Sequence, residues 1–354
     1  PPPPPPPPPP PIFFFMPQTE YDIPLRLVGS EMCIRDSSYS GQIARHVLEQ
    51  SLKKLAGKGN GGGNAADLEA QMLSYFNGSD DDLPIIAPKS KDGFKIKQTS
   101  LHQISKGKNI SGKFYDGAMP AWPGNMSGKD MAYNMIAMAA KSNKGFDADT
   151  GYDCAQLISK YTMGAMAYNQ AVDNYLDEKL SAEKKPNNKP YKDGVHYTGK
   201  EHSWDEAFGY WGAAAHQHGF NPNKVYEIAK MKNQGAADKN GDGMVDLKSE
   251  YVFGPCYYAA AFDRSGTKST NYTNTMFDAF LDGRKLITAA AGDALSDSER
   301  SQLKAYAATI EENWEKDIWN VIDNYFKTIP NLSLIHISEP TRRRGISYAV
   351  FCLK

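Results

Sequence analysis

Cysteine is scarce in this chain: its 354 residues include four, too few for a disulfide framework to replace a hydrophobic core. No run approaches the ~18 to 20 apolar residues that a membrane-spanning helix needs. An excess of one charge is also missing, since 40 Lys and Arg face 41 Asp and Glu, a net charge of −1 with histidine neutral. That balance gives no support to nucleic-acid binding, which calls for a basic patch or stripe. The chain contains no His-Glu-x-x-His zinc helix. Gly128-Lys129 has neither the leading glycine nor the following Ser or Thr of a phosphate-binding loop. Period-two alternation is too sparse for a large sheet, and no internal repeat is visible.

Both ends read as foreign to what lies between them. Residues 1–37 open on eleven prolines and pass through Ile12-Phe13-Phe14-Phe15 to Met32-Cys33-Ile34-Arg35-Asp36-Ser37; residues 333–354 begin Ser333-Leu334-Ile335-His336-Ile337-Ser338. Both resemble translated sequencing-adapter read-through, so the expected division is a non-native, adapter-like and polyproline segment 1–37, an all-helical domain 38–332 and a second non-native segment 333–354. A leader or lipid attachment site would lie where the first segment stands, so the sequence is silent on export. Cys154 and Cys256 belong to the middle part, either as a disulfide or as two buried thiols.

Helical periodicity dominates that middle part. Ile43, Val47, Leu48, Leu52 and Leu55 predict a first helix ending at Gly57, and Ala65 to Phe76 a second. From Asn77 to Gly124 the pattern dissolves into an irregular connection with a short hairpin expected near Phe94 to Thr99, and loops of that length tend to carry function. Helices resume behind Ser127 and again from Asp153 to about Leu180. Two more are expected from Thr273 to about Ala290 and from Ser298 to about Lys327, the last introduced by the capping box Ser296-Asp297-Ser298-Glu299. The fold class that follows is all-α, a helical bundle with long irregular loops.

The stretch starting at Glu201 carries the chemistry. Read as one helix through His216, it puts Trp204, Ala207, Phe208, Trp211, Ala214 and Ala215 on an apolar side, and His202, Asp205, Glu206, Gly209, Ala213 and His216 on the other. His218 falls with the apolar side. A histidine with carboxylates three and four residues on can turn nitrogen and oxygen toward one cation, and small residues nearby leave room for a ligand. His202, Asp205, Glu206, Gly209 and His216 are therefore the candidate ligand-binding residues, the first three also as metal ligands. The alternatives are a structural network around His202 and a catalytic one with Asp205 or Glu206 as base.

A second candidate is Asp238-Lys239-Asn240-Gly241-Asp242-Gly243-Met244-Val245-Asp246. Oxygen-bearing residues at positions one, three, five and nine with glycine at six match the start of a calcium loop. The acid expected at position twelve is replaced by Ser249, and Glu250 comes one residue later. Asp238, Asn240, Asp242, Asp246 and Glu250 are thus the calcium candidates; the other reading is a solvated Asp/Gly turn.

These two segments, with Tyr39-Ser40-Gly41-Gln42, Ser105-Lys106-Gly107-Lys108-Asn109 and Phe277-Asp278-Ala279-Phe280-Leu281-Asp282-Gly283-Arg284, resemble an uncharacterised family of bacterial envelope lipoproteins grouped with the imelysins. The resemblance covers Ser38 to Pro330. It implies an imelysin-like all-α fold, location in the periplasm or outer membrane with a lipid anchor, and a link to iron uptake. Imelysin relatives carry Gly-x-His-x-x-Glu on a helix; here Gly199 stands three residues before His202, and Asp205 three after it with Glu206 adjacent. The expected function is a cell-envelope protein binding a small molecule or metal, with iron and calcium as candidate cofactors. A metal-dependent hydrolase and a calcium-stabilised surface protein with a macromolecular partner are the alternatives.

Overall fold

The computed structural model describes residues 39–78, 82–119, 125–181, 184–265 and 269–335, with side chains as far as residue 323. The segment 1–37 lies outside the described residues, as does 333–354 beyond Ile335. The helices are α1 (Ser40–Ala56), α2 (Ala65–Asn77), α3 (Gly128–Lys141), α4 (Cys154–Thr162), α5 (Gly199–Trp211), α6 (Pro222–Ala229), α7 (Gln234–Ala237), α8 (Gly254–Asp263), α9 (Tyr272–Ala289) and α10 (Asp297–Ile335). Between Met163 and Tyr175, α4 continues as a π-helix. Strands β1 (Phe146–Asp147) and β2 (Tyr152–Asp153) pair antiparallel as the only two-stranded element among the described residues. The fold is mainly α, as the periodicity requires.

Local chemistry explains most of the boundaries. Ser127 accepts the Asp130 N–H at the start of α3, and Asn221 accepts the Lys224 N–H before Pro222 opens α6. α5 is the hub: α1, the π-helix, α8 and α9 all pack on it. Trp204, Phe208 and Trp211 are buried there and meet Phe277 and Phe280 of α9 at ring separations of 5.5 to 6.2 Å. Such aromatic pairs add about 0.5 to 1.5 kcal/mol each beyond their buried area.

Several expectations are corrected. The helix of the Glu201 segment stops at Trp211, because Gly212 takes the left-handed conformation (φ 79°) and closes it. The hairpin expected near Phe94 to Thr99 is reduced to a tight turn before it, where Lys91 and Phe94 exchange backbone hydrogen bonds, and Ile96 bridges Val245 in parallel. The Asp153-to-Leu180 helix changes winding at Met163, α8 is a helix that the sequence reading missed, and α10 runs past Lys327 to Ile335. Of the two alternatives for Cys154 and Cys256, the structure has the pair of buried free thiols, Cys154 near the Tyr152 carbonyl and Cys256 bonded to Gln217 at 3.2 Å. Burial raises both thiols, Cys154 to about 12, which leaves them unreactive as nucleophiles.

Candidate functional site

The site starts with the loop that precedes α5. Thr198 caps the helix: its hydroxyl accepts the Glu201 N–H while the Glu201 carboxylate accepts the Thr198 N–H. The same hydroxyl donates to Asn187 at 2.7 Å, and Asn187 donates to the Ile287 carbonyl, so both ends of the 187–198 loop are tied to the α5–α9 pair. Within it the Tyr191 N–H reaches the Tyr197 carbonyl, and the two rings stack. Both then lie on the His202 imidazole, with ring centroids 4.2 Å away for Tyr191 and 5.5 Å for Tyr197. Lys200 anchors the other flank, its buried ammonium donating to the carbonyls of Lys179, Ser181 and Lys184.

His202 and Glu206 sit one helical turn apart, with Nε2 and Oε2 separated by 3.8 Å, and Gln42 of α1 donates to Glu206 Oε1 at 2.8 Å. Burial lowers the His202 pKa, as do Lys185, Lys192 and Lys179, while Glu206 opposes them. The ring is therefore neutral at pH 7, and the pair is not an ion pair. Its Nδ1 is buried and has no hydrogen-bond partner among the described residues. A buried polar atom left in that state is destabilising unless something fills its valence.

The surrounding charge is predominantly positive. Burial pulls Lys179 down to about 8 with Lys185 and Lys113 adding to the effect against Glu206, and its ammonium lies over the Tyr175 ring at 3.9 Å. Lys113 is lowered by burial, with Arg45, Lys108 and Lys185 adding further repulsion. Arg45 donates to the carbonyls of Asn109 and Gly41 and adds its positive charge beside Lys113. Burial and the Glu206 charge together raise Tyr175, so its hydroxyl stays protonated as a donor. Lys113, Lys179 and Lys185 thus act on the space around Glu206, to which Tyr175 also hydrogen-bonds, with Glu178 adding negative charge beside Lys179.

The remaining residues of the proposed face go elsewhere. Asp205 turns to α9, where Arg284 Nε donates to it at 2.8 Å and Nη1 to Glu201 at 2.6 Å, all three being buried. The space at Gly209 is filled by α1, since a Cβ there would stand 2.8 Å from Tyr39 Cβ. His216 lies beyond the end of α5 and hydrogen-bonds the Ala236 carbonyl, away from His202. His218, expected in the core, is exposed and pairs with Asp278 at 2.9 Å. Among the described residues no three His, Cys, Asp or Glu side chains converge as a metal-binding group. Tyr191, Tyr197, Lys113 and Lys179 escaped the sequence reading, and Arg284 entered it only within the motif Phe277–Arg284; for the two tyrosines the signal was the long polar loop directly before the His202 helix.

The Asp238–Glu250 loop is tightly wound. Asp238 accepts the N–H groups of Gly241 and Gly243, Asn240 that of Asp242, and Asp242 that of Met244, with Gly241 and Gly243 at φ of 72° and 80°. Asp246 accepts from Gln98 and Lys248. Glu250 reaches back to the N–H groups of Lys239, Asn240 and Asp246. Lys97 stands 3.4 Å from Asp242.

No curated protein and no solved structure matches the chain. One family does: the Domain of unknown function (DUF4856) matches residues 108–297, a span that holds the loop over His202, the whole of α5, Arg284 and the Asp238–Glu250 turn. The chain belongs to this family, DUF4856.

Proposed function

We propose that this is a cell-envelope binding protein whose anionic ligand sits on the His202–Glu206 face. The observation that carries the reading is the unpartnered, buried Nδ1 of a neutral His202 within a ring of cations. A bare metal ion would meet Arg45, Lys113, Lys179 and Lys185 against Glu206 and Glu178, so iron would arrive as a carboxylate-bearing, anionic chelate. The envelope address, the lipid anchor and the link to iron rest on the imelysin resemblance and are part of this proposal. The hydrolase alternative is less favoured, because Asp205 is held by Arg284 and Glu206 already accepts from Gln42.

Calorimetric titration with citrate, ferric citrate and ferrous or zinc salts tests the reading. Binding of the anions, weakening with added salt, is the expected outcome. A hydrogen bond to a charged ligand is worth about 1.5 to 3 kcal/mol, so His202→Ala should weaken it by about ten- to a hundredfold. Lys179→Gln should act in the same direction. Unchanged affinity in His202→Ala would end the assignment, tight binding of the free metal alone would restore a metal centre, and turnover of hydrolase substrates would favour the enzyme.

We also propose that calcium binds the Asp238–Asp246 loop, supported by the tight turn that carries Asp238, Asn240, Asp242 and Asp246; among the described residues no three carboxylates converge there, so the ion would have to draw them together. The expected result is a higher melting temperature with calcium than with chelator, equivalent to about 2.7 kcal/mol at a hundredfold excess over the dissociation constant. Coincident melts at millimolar calcium would leave the loop as a turn held by its own backbone.

A further inference from the structure

A cavity of about 400 Å³ opens between the π-helix, α8 and α10, away from the His202 face. Its volume lies in the range of small organic ligands. Tyr161, Tyr168, Tyr258, Trp314 and Trp319 contribute aromatic surface, and Trp319 is 54% exposed, which is unusual for so large an apolar ring. The wall from Met163 onward is wound as a π-helix, a rare geometry that tends to mark functional sites.

The charge here is opposite to that around His202. Among the described residues, Asp173, Glu311, Glu315 and Asp317 line the cavity against the ammonium of Lys160. Asp173, Glu311 and Glu315 are exposed at the margin, where Tyr168 donates to Glu315 at 2.8 Å. Asp317 is deeply buried at 3% exposure, and its Oδ1 has no hydrogen-bond partner among the described residues. Lys160 lies over the Tyr258 ring at 3.8 Å, so one aromatic face of this wall already carries a cation of the chain's own. Burial, with the Asp263 charge, raises the Asp317 carboxyl well above the usual carboxylate range, and Lys160 opposes this only in part. A cation brought to the open Oδ1, beneath a margin of further carboxylates and between aromatic faces, would favour the ionised form.

We propose that this cavity binds an organic cation, its ammonium directed at Asp317 and its apolar body held against Trp314 and Tyr168. A bare divalent ion does not suit the walls, because no three His, Cys, Asp or Glu side chains converge among the described residues. A neutral sugar would use the aromatic rings and leave the excess of negative charge uncompensated.

Benzylammonium chloride is the probe, titrated into the intact chain by calorimetry and by tryptophan fluorescence, with benzyl alcohol and benzoate as neutral and anionic comparators. The expected result is saturable binding of the cation with a dissociation constant below about 1 mM, at least about tenfold tighter than benzyl alcohol, and no binding of benzoate. Asp317→Asn, nearly isosteric and uncharged, should weaken it by about tenfold or more. If that variant does not fold, the margin variant Glu311→Gln with Glu315→Gln gives an independent reading and should also lose affinity. Absence of saturable binding up to about 10 mM, equal affinity for benzyl alcohol, or full affinity in the margin variant would overturn the proposal.

Discussion

Replacing Arg284 by Ala is expected to destabilise the fold by about 3 to 5 kcal/mol in denaturant unfolding. The guanidinium is 1% exposed, and its partners Asp205 and Glu201 are 1% and 5% exposed. Burial alone would lower the Arg284 pKa, but the charges of Asp205 and Glu201 outweigh it and hold the value above the ordinary one. Without the cation, two carboxylates remain in the α5–α9 interface, where neither can be solvated. Lys316 supplies the contrast: its i,i+4 pair with Glu312 is exposed, so Lys316→Ala should change stability by less than about 1 kcal/mol. Adding Glu201→Gln and Asp205→Asn to Arg284→Met should recover much of the loss, because the buried charges then vanish together. An Arg284→Ala loss below about 1 kcal/mol would show that water reaches the trio.

The residue before it gives the second large effect, by steric rather than electrostatic means. A Cβ at Gly283 would stand 2.2 Å from Trp204 Cζ2, and the indole cannot swing away because its Nε1 donates to the Phe280 carbonyl at 2.8 Å. Gly283→Ala gains about 1 kcal/mol of helix propensity. Against that stand about 1 to 3 kcal/mol of overpacking and the loss of the indole hydrogen bond, another 1 to 3 kcal/mol if the N–H is left buried. The net expectation is a loss of about 1 to 5 kcal/mol, read from thermal and denaturant unfolding. Trp204→Phe in the same chain removes the clashing ring atoms, so the double variant should be more stable than the two separate losses predict. Gly235→Ala is the control, since nothing lies within 4 Å of a Cβ there, and it should not destabilise.

Legibility in the sequence followed the range of the interactions. The stripe Ile43, Val47, Leu48, Leu52 and Leu55 is a local signal, and α1 forms where it predicts, ending at the glycine it predicts. Helix α5 was legible as far as its apolar side, because Trp204, Phe208 and Trp211 can satisfy their burial in one rotation only. Its end was not, since Gly212 terminates it by a left-handed conformation that the pattern through His216 had overridden. The polar face misled for a related reason. His202, Asp205 and Glu206 are neighbours on a helical wheel, yet Arg284, 79 residues from Asp205, draws that residue into the α5–α9 interface.

The sequence by itself determined the all-α class, the rotation of α5 and the presence of a histidine–carboxylate pair on it, because helical periodicity and i,i+4 spacing are properties of one element. Tertiary structure alone decided the chemistry around that pair. Tyr191 and Tyr197 come from the preceding loop, Lys179 from the short 3-10 turn Glu178–Leu180 after the π-helix, and Arg45 and Lys113 from much earlier in the chain. Coulombic sign at a point depends on every charge that folding brings within about a Debye length of it. A reading of α5 in isolation therefore pointed to a cation, whereas folding surrounds the pair with Arg45, Lys113, Lys179 and Lys185.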